Sequence, residues 1–175
     1  MNSRAQIVAV GGAHGAEKRG VIGRFVERRR NEGLRLVGVV EAHEPGAGAC
    51  GALALTDLAS GARIKISQNL GPGSTACNLD PGGVALACAC VQGALRAGAD
   101  LVVLSKFGKL EAGGGGLRDA FRAALEGGVP VVTTLHPLLR DDWALFAGEL
   151  AEEIAPESLA LEGWWRDVSA AARAA

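Results

Sequence analysis

The chain has 175 residues, a length at which one domain over residues 1–175 is expected. Its composition, 49% hydrophobic and 21% charged, excludes a disordered or fibrous protein. The formal net charge of -1 and the 4% content of aromatic residues argue against a nucleic-acid partner. Because the apolar runs are too short for a signal peptide or a membrane span, we expect a cytoplasmic protein without membrane insertion.

Hydrophobic periodicity and turn residues divide the chain into alternating strands and helices. Residues 80 and 81 are Asp and Pro, an N-cap and a first-turn proline, which predict the start of a helix. In chain order we predict strand 7–10, helix 17–31, strands 34–41, 53–58 and 63–67, helix 81–97, strand 101–104, helix 117–126, strand 131–135, and helices 138–154 and 157–171.

This order predicts an α/β fold of three layers, with a mostly parallel sheet and helices on both faces. Residues 53–67 form an inserted β-hairpin in this prediction. Ligands of such sheets bind at the carboxyl ends of the strands, so loops that follow strands are the candidate sites.

The loop after the first strand has the spacing of a degenerate P-loop. A P-loop reads G-x-x-x-x-G-K-[ST] between a strand and a helix. Counted from Gly12, Lys18 falls on the lysine, Glu17 replaces the second glycine and Arg19 replaces the hydroxyl that holds Mg²⁺. A helix N-terminus still attracts anions, so we predict phosphate or oxyanion binding by Gly12, Gly15, Lys18 and Arg19. The alternative is an ordinary glycine-rich turn.

A second loop, residues 67–78, is dense in neutral hydrogen-bond donors and contains two glycines that can turn backbone N–H groups inward. Such donors suit a tetrahedral dianion such as molybdate or sulfate, and the alternative is a polar surface loop. The candidate ligands in this loop are Ser67, Gln68, Asn69, Gly71, Gly73, Ser74 and Thr75.

A third group of candidates follows the strand at 101–104. Lys106 and Lys109 come directly after a strand end, where cations can face a ligand, although Lys109 can also be surface charge. Glu111 is a candidate to orient a water or to pair with a lysine. Ser105 stands where P-loop enzymes carry the acidic residue that holds Mg²⁺ through water.

We predict no metal site. Cys77 and His136 are the only residues considered as metal ligands, and both are weak candidates. The alternative for Cys77 is a partly buried thiol, and the alternative for His136 is a hydrogen-bonded loop residue. Cys88 and Cys90 lie two residues apart in a predicted helix, so they face different directions and are predicted to be packing thiols.

The stretch Phe107-Gly108-Lys109-Leu110-Glu111 resembles the small bacterial and archaeal P-loop nucleoside-triphosphatase family. That family has an apolar strand, then Asp-Glu, then Ile-Gly-Lys-Met-Glu, whereas this chain has Ser105-Lys106 in place of Asp-Glu. The resemblance also includes Gly38-Val39-Val40 and the turn at residues 57–61. It implies a P-loop-NTPase-like fold with degenerate Walker A and Walker B motifs.

A closer resemblance is to a bacterial branch of that family whose own function is not settled. The matching blocks are residues 66–74 with Cys77, Leu79 and Asp80, and residues 106–108 with Glu111 and 116–119. This resemblance runs from about residue 34 to residue 165. Genes of the branch are often found near molybdate transport and nitrogenase-related genes.

The leading hypothesis is a non-hydrolysing binder of a molybdate-like oxyanion or a nucleotide phosphate, as an accessory in molybdenum handling. The alternatives are a weak nucleoside triphosphatase and a protein-interaction or regulatory module that has lost its ligand. We expect Mg²⁺-dependent turnover of ATP or GTP to be absent or marginal, because the Mg²⁺-holding groups are replaced. A small oxyanion is favoured over ATP or GTP because few aromatic residues could build a base pocket.

The candidate protein partners are a transporter, a metalloenzyme-assembly protein and a second copy of the chain. Trp164 and Trp165 cannot both face one side of a helix, which suggests an oligomer interface.

Overall fold

The computed structural model describes residues 6–42, 53–68 and 79–174. In chain order the elements are β1 (Ile7–Val10), α1 (Gly15–Asn31), β2 (Leu36–Ala42), β3 (Ala54–Asp57), β4 (Arg63–Lys65), α2 (Pro81–Arg96), β5 (Leu101–Leu104), α3 (Lys109–Ala112), α4 (Arg118–Glu126), β6 (Val131–Thr134), α5 (Arg140–Ala147), β7 (Ala151–Ile154) and α6 (Ser158–Ala174). Short 3-10 turns at Pro137–Leu139 and Gly148–Leu150 flank α5. Within these ranges, no helix combines the length and apolar character that a membrane crossing needs.

The strands form one sheet in the order β4-β3-β2-β5-β6-β1-β7. Strands β2, β5, β6, β1 and β7 are parallel, and β3 is antiparallel to both of its neighbours. The predicted α/β class, mostly parallel sheet and inserted hairpin are therefore confirmed. The architecture is that of a P-loop-NTPase-like fold, in which the loop after β1 leads directly into α1.

The prediction of one helix over residues 138–154 is wrong. Helix α5 ends at Ala147, where Gly148 has a φ of 51°, and the chain then enters β7. Strand β7 pairs in parallel with β1 along its whole length, from Ile7↔Ala151 to Val10↔Ile154. It contains two successive glutamates and no apolar alternation, so its pairing with β1 overrides a local sequence that favours helix.

Side chains on the two faces of the sheet pack into separate apolar clusters. One face is covered by α2, α4 and α5, with the rings of Phe107, Phe121 and Trp143 at its centre. The other face is covered by α1 and α6. Trp164 and Trp165 are both buried there, so the prediction that one of them faces an oligomer interface is wrong.

Gly38 allows β2 and β5 to approach closely at the centre of the sheet. Its φ is 130°, a conformation that L side chains rarely adopt, and it lies opposite Val103 in the β2–β5 pair. An added Cβ would overlap the backbone carbonyl of Val103. The glycine therefore sets the position of β2, which carries Glu41 near its carboxyl end.

Candidate functional site

The loop between β1 and α1 leaves the start of α1 open to an anion. Gly12 has a φ of 113°, and His14 at the N-cap makes no side-chain hydrogen bond to the helix. Helix α2 differs, because the carboxylate of Asp80 accepts a hydrogen bond from the Gly82 N–H at 2.9 Å. The free N–H groups and the positive dipole end of α1 are the features that bind phosphate and similar anions in proteins.

Lys18 lies in the first turns of α1, and its side chain folds back onto the strand ends. Its Nζ donates hydrogen bonds to the carbonyl oxygens of Gly12, at 2.6 Å, and Leu135, at 2.9 Å. Burial lowers the pKa of the ammonium, although the nearby carboxylates of Glu153 and Glu41 act in the opposite direction. The ammonium can donate three hydrogen bonds, so one remains for a ligand.

Arg19 and Lys106 converge on one carboxylate at the carboxyl edge of the sheet. Glu41 Oε2 lies 3.5 Å from Arg19 Nη1, and Glu41 Oε1 lies 3.3 Å from Lys106 Nζ. Glu41 is on β2 and Lys106 follows β5, its parallel neighbour, so both side chains leave the same edge. Among the residues that the structure describes, Glu41 is the one carboxylate that pairs with these two cations, so positive charge is in excess around it.

Lys106 is presented by a tightly held turn. Phe107 is buried, its N–H donates to the Thr134 carbonyl at 2.9 Å, and it forms a β-bridge with Leu135. The Thr134 hydroxyl donates to the Ser105 carbonyl at 3.0 Å. These contacts fix the backbone on both sides of Lys106, while its side chain stays exposed and can reach a ligand.

A second carboxylate, that of Glu153, lies against the end of β1. Arg140 forms two hydrogen bonds of 2.8 Å with it, Nε to Oε2 and Nη2 to Oε1. An added Cβ on Gly11 would overlap Glu153 Oε1, so Gly11 is needed for this close approach. The carboxylates of Glu41 and Glu153 are thus both near the ammonium of Lys18.

Both carboxylate oxygens of Glu111 accept hydrogen bonds from backbone N–H groups of its own loop. Its Oε2 accepts the Gly108 N–H at 2.9 Å, and its Oε1 accepts the Leu117 N–H at 2.8 Å. The residue is buried, so these bonds order the turn around α3. Lys109, the first residue of α3, is exposed.

Of the predicted loop at residues 67–78, the structure describes only Ser67 and Gln68. Ser67 is buried and forms a β-bridge with Leu79, and Gln68 Nε2 donates to the Leu79 carbonyl at 2.9 Å. Both residues follow β4, which ends at the same edge of the sheet as β2. The other candidates in this loop lie outside the described residues, namely Asn69, Gly71, Gly73, Ser74, Thr75 and Cys77.

Of the two candidate metal ligands, His136 has a structural partner, and Cys77 lies outside the described residues. His136 is exposed, and its Nδ1 accepts the Leu138 N–H at 3.2 Å, which caps the 3-10 turn. Cys88 is buried and burial raises the pKa of its thiol, whereas Cys90 is partly buried. In the part of the chain that the structure describes, no group of three or more His, Cys, Asp or Glu could hold a metal ion.

A family described as "Protein of unknown function (DUF2478)" matches residues 7–164. The chain belongs to this family. It is also similar to "Molybdenum import ATP-binding protein ModC 2" of Bradyrhizobium diazoefficiens, with 36% identity over 146 residues. That match includes 83% of this chain but 16% of the relative, so the chain spans a small part of that protein. No solved structure matches the chain.

Three residues at this edge of the sheet were not found from the sequence. Glu41 lies at the end of an apolar strand, a signal close to the one that singled out Lys106, and could have been found in that way. Glu153 and Arg140 could not have been found from the sequence, because β7 was predicted to be helical. Their side chains were therefore not expected at the edge of a sheet.

Proposed function

We propose that the chain binds a tetrahedral oxyanion group, in a molybdate-like anion or a nucleotide phosphate, without hydrolysing it. The observation that carries the proposal is the convergence of Arg19 and Lys106 on Glu41. In Mg²⁺-dependent P-loop enzymes, the positions of Arg19 and Ser105 carry the hydroxyl and the acid that hold the metal. Here cationic side chains gather at that place.

Four groups supply donors to the anion in this proposal. They are the N–H groups at the start of α1, the ammonium of Lys18, the guanidinium of Arg19 and the ammonium of Lys106. A hydrogen bond to a charged group contributes about 1.5–3 kcal/mol. Three or four of them support micromolar affinity once the cost of association is subtracted.

The donor set is unsuited to Mg²⁺, which prefers oxygen ligands in octahedral geometry. The nearest carboxylate, that of Glu41, has one oxygen beside Arg19 and the other beside Lys106. In the proposed complex these cations neutralise the charge of the anion directly. A weak nucleoside triphosphatase, the alternative enzyme, would lack residues that hold the metal between two phosphates.

The name of the ModC 2 relative supports a connection with molybdenum. That relative is far longer than this chain, so we propose an accessory role beside a molybdenum transporter rather than transport by this chain itself. A protein-interaction module that has lost its ligand is the second candidate. This second candidate is supported by the match to a small part of a larger protein.

Calorimetric titration of the full chain with molybdate, tungstate, sulfate, phosphate, ATP and GTP tests this proposal. We expect at least one of the small oxyanions to bind with micromolar affinity. Tight binding of ATP with no response to any small oxyanion would overturn the preference for a small anion. If none of the six ligands binds, anion binding would be overturned and the interaction module favoured.

Glu41→Gln is expected to strengthen oxyanion binding about tenfold. The carboxylate of Glu41 occupies the two cations that an incoming anion needs, and the amide removes this competing charge. Near a protein surface the interaction of unit charges a few ångströms apart is about 1–4 kcal/mol, and solvent screening reduces it. The dissociation constant of sulfate, measured by calorimetry, checks the prediction.

The matched control is Asp119→Asn, which changes the net charge equally but breaks a surface ion pair with Arg122 on α4. We expect little change in its affinity for sulfate. Weaker binding by Glu41→Gln would mean that the Glu41 carboxylate positions the cations for the anion rather than competing with it.

A further inference from the structure

A cleft of about 400 Å³ extends from the anion site along the face of the sheet beneath α1. Helix α1 forms one wall, and strands β2, β3 and β5 form the other. The volume falls within the range of about 300–1,000 Å³ that is usual for small-molecule sites. The proposed oxyanion group alone would leave this space unfilled.

The middle of the cleft is apolar and incompletely covered. Val40 and Leu58 line it and remain partly exposed, although both pack against the core cluster beneath α1 and α6. Ile22 and Val26 of α1 face them. Branched aliphatic side chains from the helix and from the sheet thus line the apolar part of the cleft, which we call the slot.

The end of the cleft nearest the anion site is polar. Arg19, Glu41, Ser105 and Thr134 line this end. Arg19 follows Lys18 in sequence, and Thr134 precedes Leu135, whose carbonyl accepts the hydrogen bond of the Lys18 ammonium. The cleft and the anion site are therefore continuous, and Arg19 belongs to both.

Gly23 keeps the helix wall of the cleft open. It lies inside α1, where glycine is less favourable than alanine. An added Cβ would meet no atom within 4 Å, so neither packing nor backbone conformation requires a glycine there. The absent side chain leaves room on the cleft side of the helix.

We infer that the cleft holds the organic body of a phosphate monoester whose phosphate binds at the start of α1, and that this body is an aromatic ring. The inference rests on the anion-binding function proposed above. The phosphate lies on Lys18 and Arg19, and the ring lies between the aliphatic walls. The hydroxyls of Ser105 and Thr56, which also line the cleft, are placed to bond polar substituents on the ring.

The test compares the dissociation constants of phenyl phosphate and methyl phosphate, two monoesters that differ in their organic body. We expect phenyl phosphate to bind at least tenfold more tightly to the wild-type chain. In Gly23→Leu, whose side chain fills the slot, the ratio of the two constants should fall to about one. Gly20→Leu is the matched control, because Gly20 is on the same helix but does not line the cleft.

Both replacements remove a glycine from a helix, so both variants are expected to fold at least as stably as the wild type. A ratio near one in the wild type, with methyl phosphate bound, would overturn the aromatic body and leave anion binding intact. A large ratio that Gly23→Leu does not reduce, or that Gly20→Leu reduces equally, would place the ring outside the cleft and overturn the inference. Failure of both esters to bind would overturn this inference, whereas the proposed function falls only if molybdate, sulfate and the other small oxyanions also fail to bind.

Discussion

Replacement of Lys18 by methionine is expected to weaken the binding of sulfate about ten- to a hundredfold. Methionine keeps much of the apolar stem but removes the ammonium, which is buried beside the start of α1 and next to Arg19. Loss of the one charge-assisted hydrogen bond that remains for the ligand, at about 1.5–3 kcal/mol, corresponds to this factor. Calorimetric titration of the variant checks the result.

The control for this variant is Arg122→Met, which removes an exposed cation on α4, away from the sheet edge. We expect its affinity for sulfate to stay close to that of the wild type. If both variants lose affinity to the same degree, the anion responds to the net charge of the protein and not to a site at Lys18.

The same lysine predicts how binding depends on pH. Burial lowers the pKa of Lys18 from its ordinary value of 10.5, so the ammonium loses its charge at a lower pH than an exposed lysine. Sulfate affinity should therefore fall as the pH rises through this lowered value. At pH values between the lowered pKa of the folded chain and the ordinary pKa of the unfolded chain, the Lys18 side chain is protonated more fully in the unfolded chain. In that pH range Lys18 therefore makes the free energy of unfolding rise with pH.

Gly38→Ala is expected to destabilise the fold by roughly 3–5 kcal/mol. The positive φ costs about 1–3 kcal/mol for a residue with a side chain, and the overlap with the Val103 carbonyl adds a similar amount. Domains of this kind have a total stability of about 5–15 kcal/mol. The melting temperature should fall by roughly 10 °C or more, as measured by circular dichroism.

Gly163→Ala is the matched control, because Gly163 is in α6 and an added Cβ would meet no atom within 4 Å. Alanine in a helix interior is more favourable than glycine by up to about 1 kcal/mol, so the melting temperature should stay the same or rise. Equal melting temperatures for Gly38→Ala and the wild type would show that β2 and β5 can separate at this point without cost.

Most of the sheet was predictable because its central strands have a strong local signature. Strands β1 and β5 are runs of four apolar residues, each fully buried between two layers of helices. Such runs of β-branched and aliphatic residues occur where both faces of a strand are covered. Strand β7 has no such signature. It is an edge strand, and it is held in the sheet by its backbone pairing with β1.

Lys106 was predicted as a candidate from its position after a strand end, and Lys18 and Arg19 from the P-loop spacing, but the pairing of Arg19 and Lys106 with one carboxylate was not predicted. Arg19, Glu41 and Lys106 are far apart in the sequence, and no local pattern indicates that two cations share one carboxylate. Glu111 shows the same difficulty. Its charge suggested a role toward a ligand, whereas the folded loop brings two backbone N–H groups onto its carboxylate.

A titration with phosphate shows whether the proposed oxyanion site needs a metal. The wild-type chain is titrated with phosphate in the presence of a chelator and again in the presence of Mg²⁺. Because the side chains of Lys18, Arg19 and Lys106 neutralise the anion in this account, the two dissociation constants should agree within about twofold. Binding that occurs with Mg²⁺ and disappears with the chelator would contradict the account.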